Sequence, residues 1–489
     1  MNKAFKIVYI ILFALVCSVP LIFMPFFKND TSLEKRELAE FPVYMEDGKL
    51  NVDFSTQFEK WLNDRLPFRA NVLSAANLIK GETLHTPTSN VIVGKDGYLY
   101  YESESSDYMD TNAMTDAEIN AAAVTLSLMQ ENIEERGGRF LFVPMPNKAS
   151  VYGEYMPDYY KKAEENNLSR IMERASALKV NYLDMQAVME ANKDKQLFHR
   201  RDSHWNYQGA LIGYNAIMDG IGKEHKTYSD AAVTMRNDWR GDLDKLIYPA
   251  GGLMDDQYYI DAHYADFMFT YPMSPKSPEA QLQNFMSDRE DGDDRIKSKN
   301  KELSDGSRLF MARDSFGRAL LPFMIDNYEE AEFRRTDCPD INSVEDGTDF
   351  IYEIVERNLN RISEKAPFMY APERDSINID DCEKSDGISM FYDVAGYGVR
   401  IYGELPEKEV TGDGRVYIAL EKDDDRTVYE AFPIYEKELI EKALNEKGIQ
   451  EKTGTGFSMI IPREELSGKY TVSVISEGRS YAAGEIEVK

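Results

Sequence analysis

The stretch SRLFMARDSFGRALLPFM, residues 307–324, decides the fold class of this chain. Its first half is an apolar run of strand length, and its second half has apolar residues at helical spacing. The polar turn Arg313-Asp314-Ser315 lies between the two halves. A buried strand that leads through a tight turn into a helix is typical of a parallel sheet covered by helices. The residues therefore predict an α/β fold, with Ser315 at the carboxyl end of a strand.

Other segments alternate in the same way. RFLFVPMP (139–146) is a continuous apolar run of strand length, and DFIYEIVERNLNRI (349–362) reads as a strand that leads into a helix. Thr115 and Glu118 form the pattern of a capping box, which predicts the start of a long helix. We therefore predict an α/β domain over residues 91–370. Its charged segment at about 273–306 has few apolar residues, which predicts a mobile insertion.

The hydrophobic period changes to two after this domain. Segments such as GRVYIALE and FSMIIP alternate, with Gly and Asp between them, which predicts an antiparallel β-sandwich over residues 371–489. One helical interruption is predicted at 436–448. Tyr392, Tyr397 and Tyr402 would suit a carbohydrate-binding accessory domain. Alternation gives no facing direction, so a packing domain whose tyrosines contact a neighbour is the alternative.

The N-terminus contains the apolar run IVYIILFALVCSVPLIFMPFF, residues 7–27, after Lys3 and Lys6. A membrane span needs about 20 apolar residues, and no small-residue cleavage site follows the run. These features predict an uncleaved membrane anchor over residues 1–28 and an extracytoplasmic body. A cleaved signal peptide, which would leave a soluble exported protein, is the alternative. Residues 29–90 are predicted to form a polar and amphipathic lead-in.

Charge and cysteine content exclude some function classes. The chain has 86 acidic and 57 basic residues, for a net charge of −29, so a phosphate backbone would be repelled and nucleic-acid binding is disfavoured. It has three cysteines and no CxxC motif, which excludes a zinc site built on cysteines. No motif predicts a cofactor. Cys338 and Cys382 could form a disulfide in an exported protein or remain thiols.

Two polar clusters are candidates for chemistry. Ser315 follows an apolar strand, where its hydroxyl would be exposed at the sheet's carboxyl end. His204 has Asp202 two residues before it, close enough to orient an imidazole that activates a serine. Each cluster also has a purely structural interpretation, since Asp314, Ser315 and Asn206 are all good helix N-caps. The pair, at two element boundaries, points to catalysis more strongly than either alone.

At these clusters the sequence resembles a known family. RDSHWN (201–206) resembles the D-x-H-W pattern of the DHHW proteins and of the AlgX/AlgJ alginate O-acetyltransferase group, and ARDSFG (312–317) resembles their later GDSF-like nucleophile segment. The family's glycine is Arg313 here, and the second motif position is Ser203. The resemblance reaches from residue 34 to about residue 365 and includes EKRELAEFP (34–42), FEKWLNDRLPFR (58–69), GKDGYLYY (94–101) and PNKASVY (146–152).

The resemblance implies an SGNH-hydrolase-like three-layer domain with permuted motif order. It implies Ser315 as nucleophile, His204 as general base and Asp202 as its orienting partner, without cofactor or metal. The implied activity is acetyl transfer to a hydroxyl of a cell-surface or secreted polysaccharide through an acetyl-enzyme. The implied donor partner is a polytopic membrane O-acyltransferase. Beside the Ser315 N–H, the candidate oxyanion donors are Asn147, Lys148, Arg357 and Asn358, and Trp205 and Tyr207 are candidates to line the site.

Two other functions remain open at this point. A polysaccharide acetyl esterase would use the same triad with water as the acceptor. A non-catalytic polysaccharide-binding or export scaffold belongs to a different class, and it is favoured by Arg313 at the family's glycine position and by the predicted sandwich.

Overall fold

The computed structural model of this protein describes most of the chain. The described residues are 3–26, 38–46, 49–83, 88, 90–262, 264–271, 294–375, 377, 379, 382–385, 388–405, 414–423, 425–435 and 455–488.

Twelve α-helices lie within the described residues. They are α1 (Lys3–Phe23), α2 (Phe54–Arg65), α3 (Arg69–Leu78), α4 (Glu104–Tyr108), α5 (Asp116–Glu135), α6 (Lys148–Val151), α7 (Asn167–Ala177), α8 (Met185–Ala191), α9 (Tyr207–Gly220), α10 (Asp242–Ile247), α11 (Leu321–Asn327) and α12 (Arg361–Glu364). A π-helical turn (Ile79–Thr83) follows α3. The 3₁₀-helices are Gly153–Tyr155, Lys193–Lys195, Phe316–Leu320, Ile341–Ser343, Glu356–Asn358 and Arg463–Glu465.

Twenty strands lie within the same residues. Those before the C-terminal sheet are β1 (Met45–Glu46), β2 (Lys49–Leu50), β3 (Val91–Val93), β4 (Leu99–Tyr101), β5 (Phe140–Met145), β6 (Ala232–Trp239), β7 (Asp255–Asp261), β8 (Phe267–Tyr271), β9 (Arg295–Asn300), β10 (Arg308–Arg313), β11 (Glu330–Arg335) and β12 (Asp349–Val355). The C-terminal strands are β13 (Glu383–Ser385), β14 (Ser389–Ala395), β15 (Gly398–Leu405), β16 (Val416–Lys422), β17 (Asp425–Ile434), β18 (Thr455–Ile461), β19 (Gly468–Ser476) and β20 (Arg479–Val488).

A six-stranded sheet in the order β5-β12-β10-β11-β9-β8 forms the centre of the α/β region. The pairs β5–β12, β12–β10 and β10–β11 are parallel, and β9 and β8 add an antiparallel edge. Parallel strands bring their carboxyl ends to one edge of a sheet. The turn after β10 and the segment after β12 therefore lie side by side, which positions Ser315 and Arg357 near each other.

Strands β5, β10 and β12 of this sheet are buried on both faces, because helices cover each side. Alternate residues of β12 point into different cores: Ile351 packs with α8, α9 and α11, whereas Phe350 packs with α5 and α7. Helix α5 begins with the capping box of Thr115 and Glu118. The α/β prediction is therefore confirmed.

The C-terminal strands form an eight-stranded sheet in the order β13-β20-β19-β16-β17-β18-β15-β14. Every pair in it is antiparallel except β13–β20. Its division into the two packed layers of a sandwich, like the domain boundary at residue 371, stays a prediction. Tyr392 and Tyr397 are exposed, but Tyr402 is 4% exposed and stacks on Phe391, so it is not part of a tyrosine surface.

Ion pairs join this sheet to α5. The Arg374 guanidinium donates to both carboxylate oxygens of Glu131, at 2.6 and 2.7 Å, and its Nε donates to Glu430 Oε2 at 2.6 Å. The Glu430 side chain is 2% exposed and also pairs with Arg415. Leaving the buried Glu430 carboxylate without its arginine partners is costly, so its pair with Arg374, which also contacts Glu131, favours one fixed packing of the sheet on α5.

The prediction of a membrane anchor over residues 1–28 is wrong, and the extracytoplasmic body that was inferred from the anchor loses that support. Among the described residues, no helix is long and apolar enough to cross a membrane. Helix α1 starts at Lys3, includes Lys6 and ends at Phe23, so it begins and ends before the apolar run does.

Other local predictions differ in detail. Residues 272–293 of the predicted insertion, and the helix predicted at 436–448, lie outside the described residues. The end of the insertion, Arg295–Asn300, is strand β9, paired with β8 and β11. Cys338 and Cys382 are thiols rather than a disulfide, and the Cys338 thiol donates to Ala366 O.

Candidate active site

The two polar loops meet at the carboxyl edge of the sheet. Ser315 follows β10 and precedes the 3₁₀-helix Phe316–Leu320. Asp202 and His204 lie in the loop before α9, whose N-cap Asn206 accepts a hydrogen bond from Gly209 N. Trp205 joins the loops, because its indole N–H donates to Phe316 O at 3.1 Å. The fold thus brings together residues that are 111 positions apart in the chain.

Asp202, His204 and Ser315 form a continuous chain of hydrogen bonds. Asp202 Oδ1 lies 2.7 Å from His204 Nδ1, and His204 Nε2 lies 2.8 Å from Ser315 Oγ. A carboxylate only accepts, so Nδ1 carries the hydrogen and Nε2 is left to accept from the serine hydroxyl. The bonds thus run from a carboxylate through an imidazole to a hydroxyl, as the predicted roles of orienting acid, base and nucleophile require, and those roles stay predictions.

Three N–H groups besides the imidazole hold the Asp202 carboxylate. Trp239 Nε1 and Asp242 N donate to its Oδ2 at 3.0 and 2.9 Å, and His204 N donates to its Oδ1 at 3.0 Å. Gly241 allows this approach, because a Cβ at that position would lie 2.0 Å from Arg201 O. The sequence analysis missed Trp239 and Asp242. The local sequence offered one indication, Gly241, which lies between them. A glycine permits a close approach of another segment but does not identify that segment.

The charges around the imidazole favour its protonated form. Burial lowers the pKa of His204, but the hydrogen bond to Asp202 and the charges of Asp202 and Asp242 outweigh this and raise it. Burial raises the pKa of Asp202, but the hydrogen bond from His204 and the positive charge of the His204 imidazolium outweigh burial and hold this pKa well below its usual range. Burial and the charge of Asp202 raise the pKa of Asp242.

Lys148, a candidate oxyanion donor, instead holds the backbone of the Asp202 loop. Its ammonium donates to His199 O at 3.2 Å, to Arg200 O at 3.1 Å and to Asp202 O at 2.6 Å. Asn147 is also committed elsewhere, because its amide donates to Asp107 Oδ2 at 3.0 Å. Lys148 and Asn147 therefore support the site from outside it.

The turn that carries Ser315 is fixed by Asp314. Its carboxylate accepts from Phe316 N and from Val355 N, both at 2.8 Å, and its own N–H donates to Glu353 Oε2 at 3.0 Å. Burial and the Asp314 charge raise the pKa of Glu353 well above its usual range, which favours its protonated form.

Arg313, which replaces the family's glycine, is accommodated by Gly317. Arg313 is 1% exposed, and its guanidinium donates to Asp314 O at 3.0 Å. A Cβ on Gly317 would lie 2.8 Å from Arg313 Cβ and 2.9 Å from Glu353 Oε2. Arg313 thus fills the space that a side chain at residue 317 would need, and the turn that carries Ser315 keeps its close packing.

We expect Gly317→Ala to lower the free energy of unfolding by about 1–3 kcal/mol, because overpacking forces the Arg313 stem or the turn to shift. Activity should fall with it, because Ser315 moves with the turn. Chemical denaturation and a kinetic assay measure the two effects. Gly396→Ala is the control, since no heavy atom lies within 4 Å of its added Cβ. A Gly317→Ala protein as stable as the control would contradict the packing argument.

A buried carboxyl next to the site makes stability depend on pH. Glu356 accepts from Ser150 Oγ at 2.6 Å and from Asn147 N at 2.8 Å, and Asn166 donates to its other oxygen at 2.7 Å. Burial nevertheless raises the pKa of Glu356 from 4.5 to about 7. Between these values the unfolded chain has already lost the proton that the folded protein keeps, so stability falls as pH rises.

We therefore expect wild type to lose about 3 kcal/mol of unfolding free energy relative to Glu356→Gln between pH 4.5 and pH 7. Above pH 7 the difference between the two proteins should stay constant. Urea unfolding at a series of pH values measures it. The exposed Glu345→Gln should give a flat difference. A flat difference for Glu356→Gln as well would show that Glu356 ionises normally.

The hydrogen-bonded chain opens into a cavity of about 790 Å³. Arg357 and Asn358, the other two candidate oxyanion donors, line it together with Trp205 and Tyr207. The Arg357 guanidinium lies 5.8 Å from the Phe316 ring centre, next to the turn of Ser315. A cavity of this size is typical of a small-molecule binding site.

Among the described residues, one group has acidic and imidazole ligand atoms close enough for a metal ion: Asp202, His204 and Asp242, whose atoms lie within 4.8 Å of one another. Hydrogen bonds to Trp239, Ser203 and within the group already occupy those atoms. The arrangement is therefore a hydrogen-bonded cluster rather than a set of ligands.

Comparison with known proteins agrees with this architecture. Residues 91–250 match the family described as "SGNH hydrolase-like domain, acetyltransferase AlgX". The probable alginate O-acetylase AlgJ of Pseudomonas putida is 25% identical over 174 residues, 32% of this chain and 42% of the relative. Its counterpart in Pseudomonas aeruginosa is 24% identical over 177 residues, 36% and 44% of the two chains.

The chain thus spans less than half the length of these curated relatives. A solved DHHW family protein from Eubacterium siraeum has a TM-score of 0.43 and 18% identity, and the match covers 57% of this chain and 97% of that one. A score this low carries no argument about the site. The resemblance of this chain to the AlgX/AlgJ/DHHW-like O-acetyltransferase family, first indicated by the motif RDSHWN, is confirmed.

Proposed function

We propose that this protein is an O-acetyltransferase that acts on hydroxyl groups of a polysaccharide, with Ser315 as nucleophile, His204 as general base and Asp202 as its orienting partner. The observation that carries the proposal is the unbroken hydrogen-bonded chain from Asp202 through His204 to Ser315, at 2.7 and 2.8 Å, on the wall of an open cavity. The similarity to probable alginate O-acetylases supports acetyl as the acyl group and a polysaccharide as the acceptor.

In the first half-reaction, Ser315 Oγ attacks the acetyl carbonyl of the donor and its proton moves to His204 Nε2. The bond from the carbonyl carbon to the donor oxygen then breaks, and that oxygen takes the proton from Nε2. Asp202 holds the ring and stabilises the imidazolium in between. Arg357 and the Ser315 N–H are our candidates to stabilise the oxyanion.

In the second half-reaction, the sugar hydroxyl gives its proton to His204 Nε2 and attacks the acetyl-Ser315 carbonyl. Ser315 leaves, and the proton returns to its Oγ. The donor partner implied by the resemblance, a polytopic membrane O-acyltransferase, stays a prediction. The −29 net charge makes an uncharged acceptor easier to approach than a polyanion.

The direct test is to capture the acetyl-enzyme. Purified full-length protein is mixed with p-nitrophenyl acetate and quenched, and the peptide containing Ser315 is examined by mass spectrometry. We expect the mass of one added acetyl group on Ser315, and its loss on addition of oligosaccharide with acetylated sugar as product. Acetate as the sole product would favour the esterase, and a well-folded protein that never carries acetyl would favour the scaffold.

A further inference from the structure

A second carboxylate approaches the imidazole of the candidate base. Asp242 Oδ2 lies 3.6 Å from His204 Nδ1, and the Ser203 hydroxyl contacts both groups. Ser203 Oγ donates to Asp242 Oδ2 at 2.6 Å, and Ser203 N donates to Asp242 Oδ1 at 2.7 Å. The same hydroxyl oxygen is 3.3 Å from His204 Nδ1.

The direction of these bonds follows from the donors present. Asp242 only accepts, so the Ser203 hydroxyl gives it its single hydrogen and keeps its lone pairs for other donors. The N–H of His204 Nδ1 is the donor next to those lone pairs. That N–H therefore faces two acceptors, Asp202 Oδ1 at 2.7 Å and Ser203 Oγ at 3.3 Å.

Asp242 is also tied to Asp202 itself. Its backbone N–H donates to Asp202 Oδ2 at 2.9 Å, so one residue contacts the orienting carboxylate through its backbone and the imidazole through Ser203. Asp242 is the first residue of α10, and its Oδ1 also accepts from Leu243 N at 2.7 Å. These bonds fix the side chain in one orientation, and they offset part of the repulsion between the two carboxylates.

We propose that Asp242, acting through Ser203, is a second positioning acid of the site: it holds the His204 ring in place and stabilises its protonated form. The inference rests on the proposed function, because it concerns the base of that reaction. It goes beyond the triad, because the basicity and orientation of His204 would depend on two carboxylates, Asp202 and Asp242, and on Ser203.

The charges that face His204 are consistent with this role. The carboxylates of Asp202 and Asp242 favour the imidazolium, and the Arg357 guanidinium opposes it. The other close groups, the hydroxyls of Ser203 and Ser315 and the Phe316 ring at 5.0 Å, are neutral. When Ser315 gives its proton to Nε2, the new positive charge lies between two negative groups. Neither Asp242 nor Ser203 gains or loses a proton in the step.

The experiment measures the pKa of His204 directly in the full-length protein. Histidine labelled with ¹³C at Cε1 gives five signals, one for each histidine in the chain, and His204→Gln identifies the signal of residue 204. In Asp242→Asn we expect this pKa to fall, because the variant keeps the shape and the backbone N–H but removes the charge. Ser203→Ala should also lower the pKa of His204, but by less than Asp242→Asn does. Asp238→Asn removes a nearby exposed carboxylate and should leave it unchanged.

The pH dependence of kcat/KM is the second readout. Only the neutral imidazole accepts a proton, so the activity of Asp242→Asn should rise at lower pH than that of wild type. Above both pKa values its rate should be lower by roughly threefold to tenfold, since the imidazolium is less stabilised. A merely structural role would lower the rate without moving the acid side of the profile.

The possible results separate this inference from the proposed function. A His204 pKa that is the same in Asp242→Asn as in wild type, with the protein folded by circular dichroism, overturns the inference whether or not the enzyme is active. A lower pKa in a protein that never transfers acetyl supports the second acid and refutes the proposed reaction. A lower pKa together with the shifted profile supports both.

Discussion

Ser315→Ala is expected to lower kcat for acetyl transfer by roughly 10⁴- to 10⁶-fold and to leave the fold intact. The variant removes the oxygen that would accept the acetyl group in the proposed reaction, and it adds no bulk to the turn. The turn should persist, because Asp314 holds it through Phe316 N and Val355 N rather than through the Ser315 hydroxyl. Steady-state kinetics with donor and oligosaccharide, alongside circular dichroism, measure both effects.

Asp202→Asn should lower kcat for acetyl transfer by roughly 10⁴-fold, because the amide disturbs the tautomer in which His204 Nε2 accepts from Ser315. The effects of Ser315→Ala and Asp202→Asn should not add, since the three residues act as a unit. Ser229→Ala, on an exposed loop, is the control and should behave as wild type. Full activity in Ser315→Ala would rule out this serine as the nucleophile and return the protein to the scaffold interpretation.

Lys148→Met is expected to have the largest effect on stability, a loss of about 3–5 kcal/mol. The ammonium is fully buried and donates to three backbone oxygens of the loop that carries Asp202. Methionine fills the space of the side chain but has no donor, so His199 O and Asp202 O lose the ammonium as a partner, whereas Arg200 O still accepts from Leu99 N. Activity should fall as well, although Lys148 does not line the cavity, because the loop that presents Asp202 and His204 loses its support.

Denaturant unfolding of wild type, Lys148→Met and Lys95→Met measures the stability loss. Lys95 forms an ion pair with Asp158 in which its side chain is 45% exposed, so its replacement should change stability by less than about 1 kcal/mol. A Lys148→Met protein with the unfolding midpoint of Lys95→Met would contradict the role that we assign to the buried ammonium.

Much of the fold could be predicted from local pattern, and part of the site with it. Apolar runs such as 139–146 and the strand before Ser315 have the composition of strands buried on both faces, and the structure has them as β5 and β10. The anchor prediction failed at the same level of argument. Hydropathy counted apolar residues along the chain, but the helix at the N-terminus starts and ends at different residues from the apolar run.

The contacts that individual residues make at the site were harder to predict than the fold. Lys148 and Asn147 were candidates for the oxyanion because lysine and asparagine are donors, yet in the fold they donate to a loop backbone and to Asp107. Arg313 departed from the family pattern and favoured a non-catalytic protein. In the structure it is packed against Gly317, four residues later, and the turn of Ser315 remains closed. The fold therefore accommodates the departure at Arg313 through Gly317, a residue whose effect on Arg313 cannot be read from the motif.

The sequence by itself determined the α/β class, the place of Ser315 at the end of a strand, and the pairing of Asp202 with His204, because each depends on residues within a few positions of one another. Only the tertiary structure decided that the two loops, 111 residues apart, meet at 2.8 Å. It also decided that Trp239 and Asp242 surround the Asp202 carboxylate. The physical reason is that hydrophobic periodicity specifies which face of an element is buried, whereas the packing of the whole sheet selects which buried faces and which loops become neighbours.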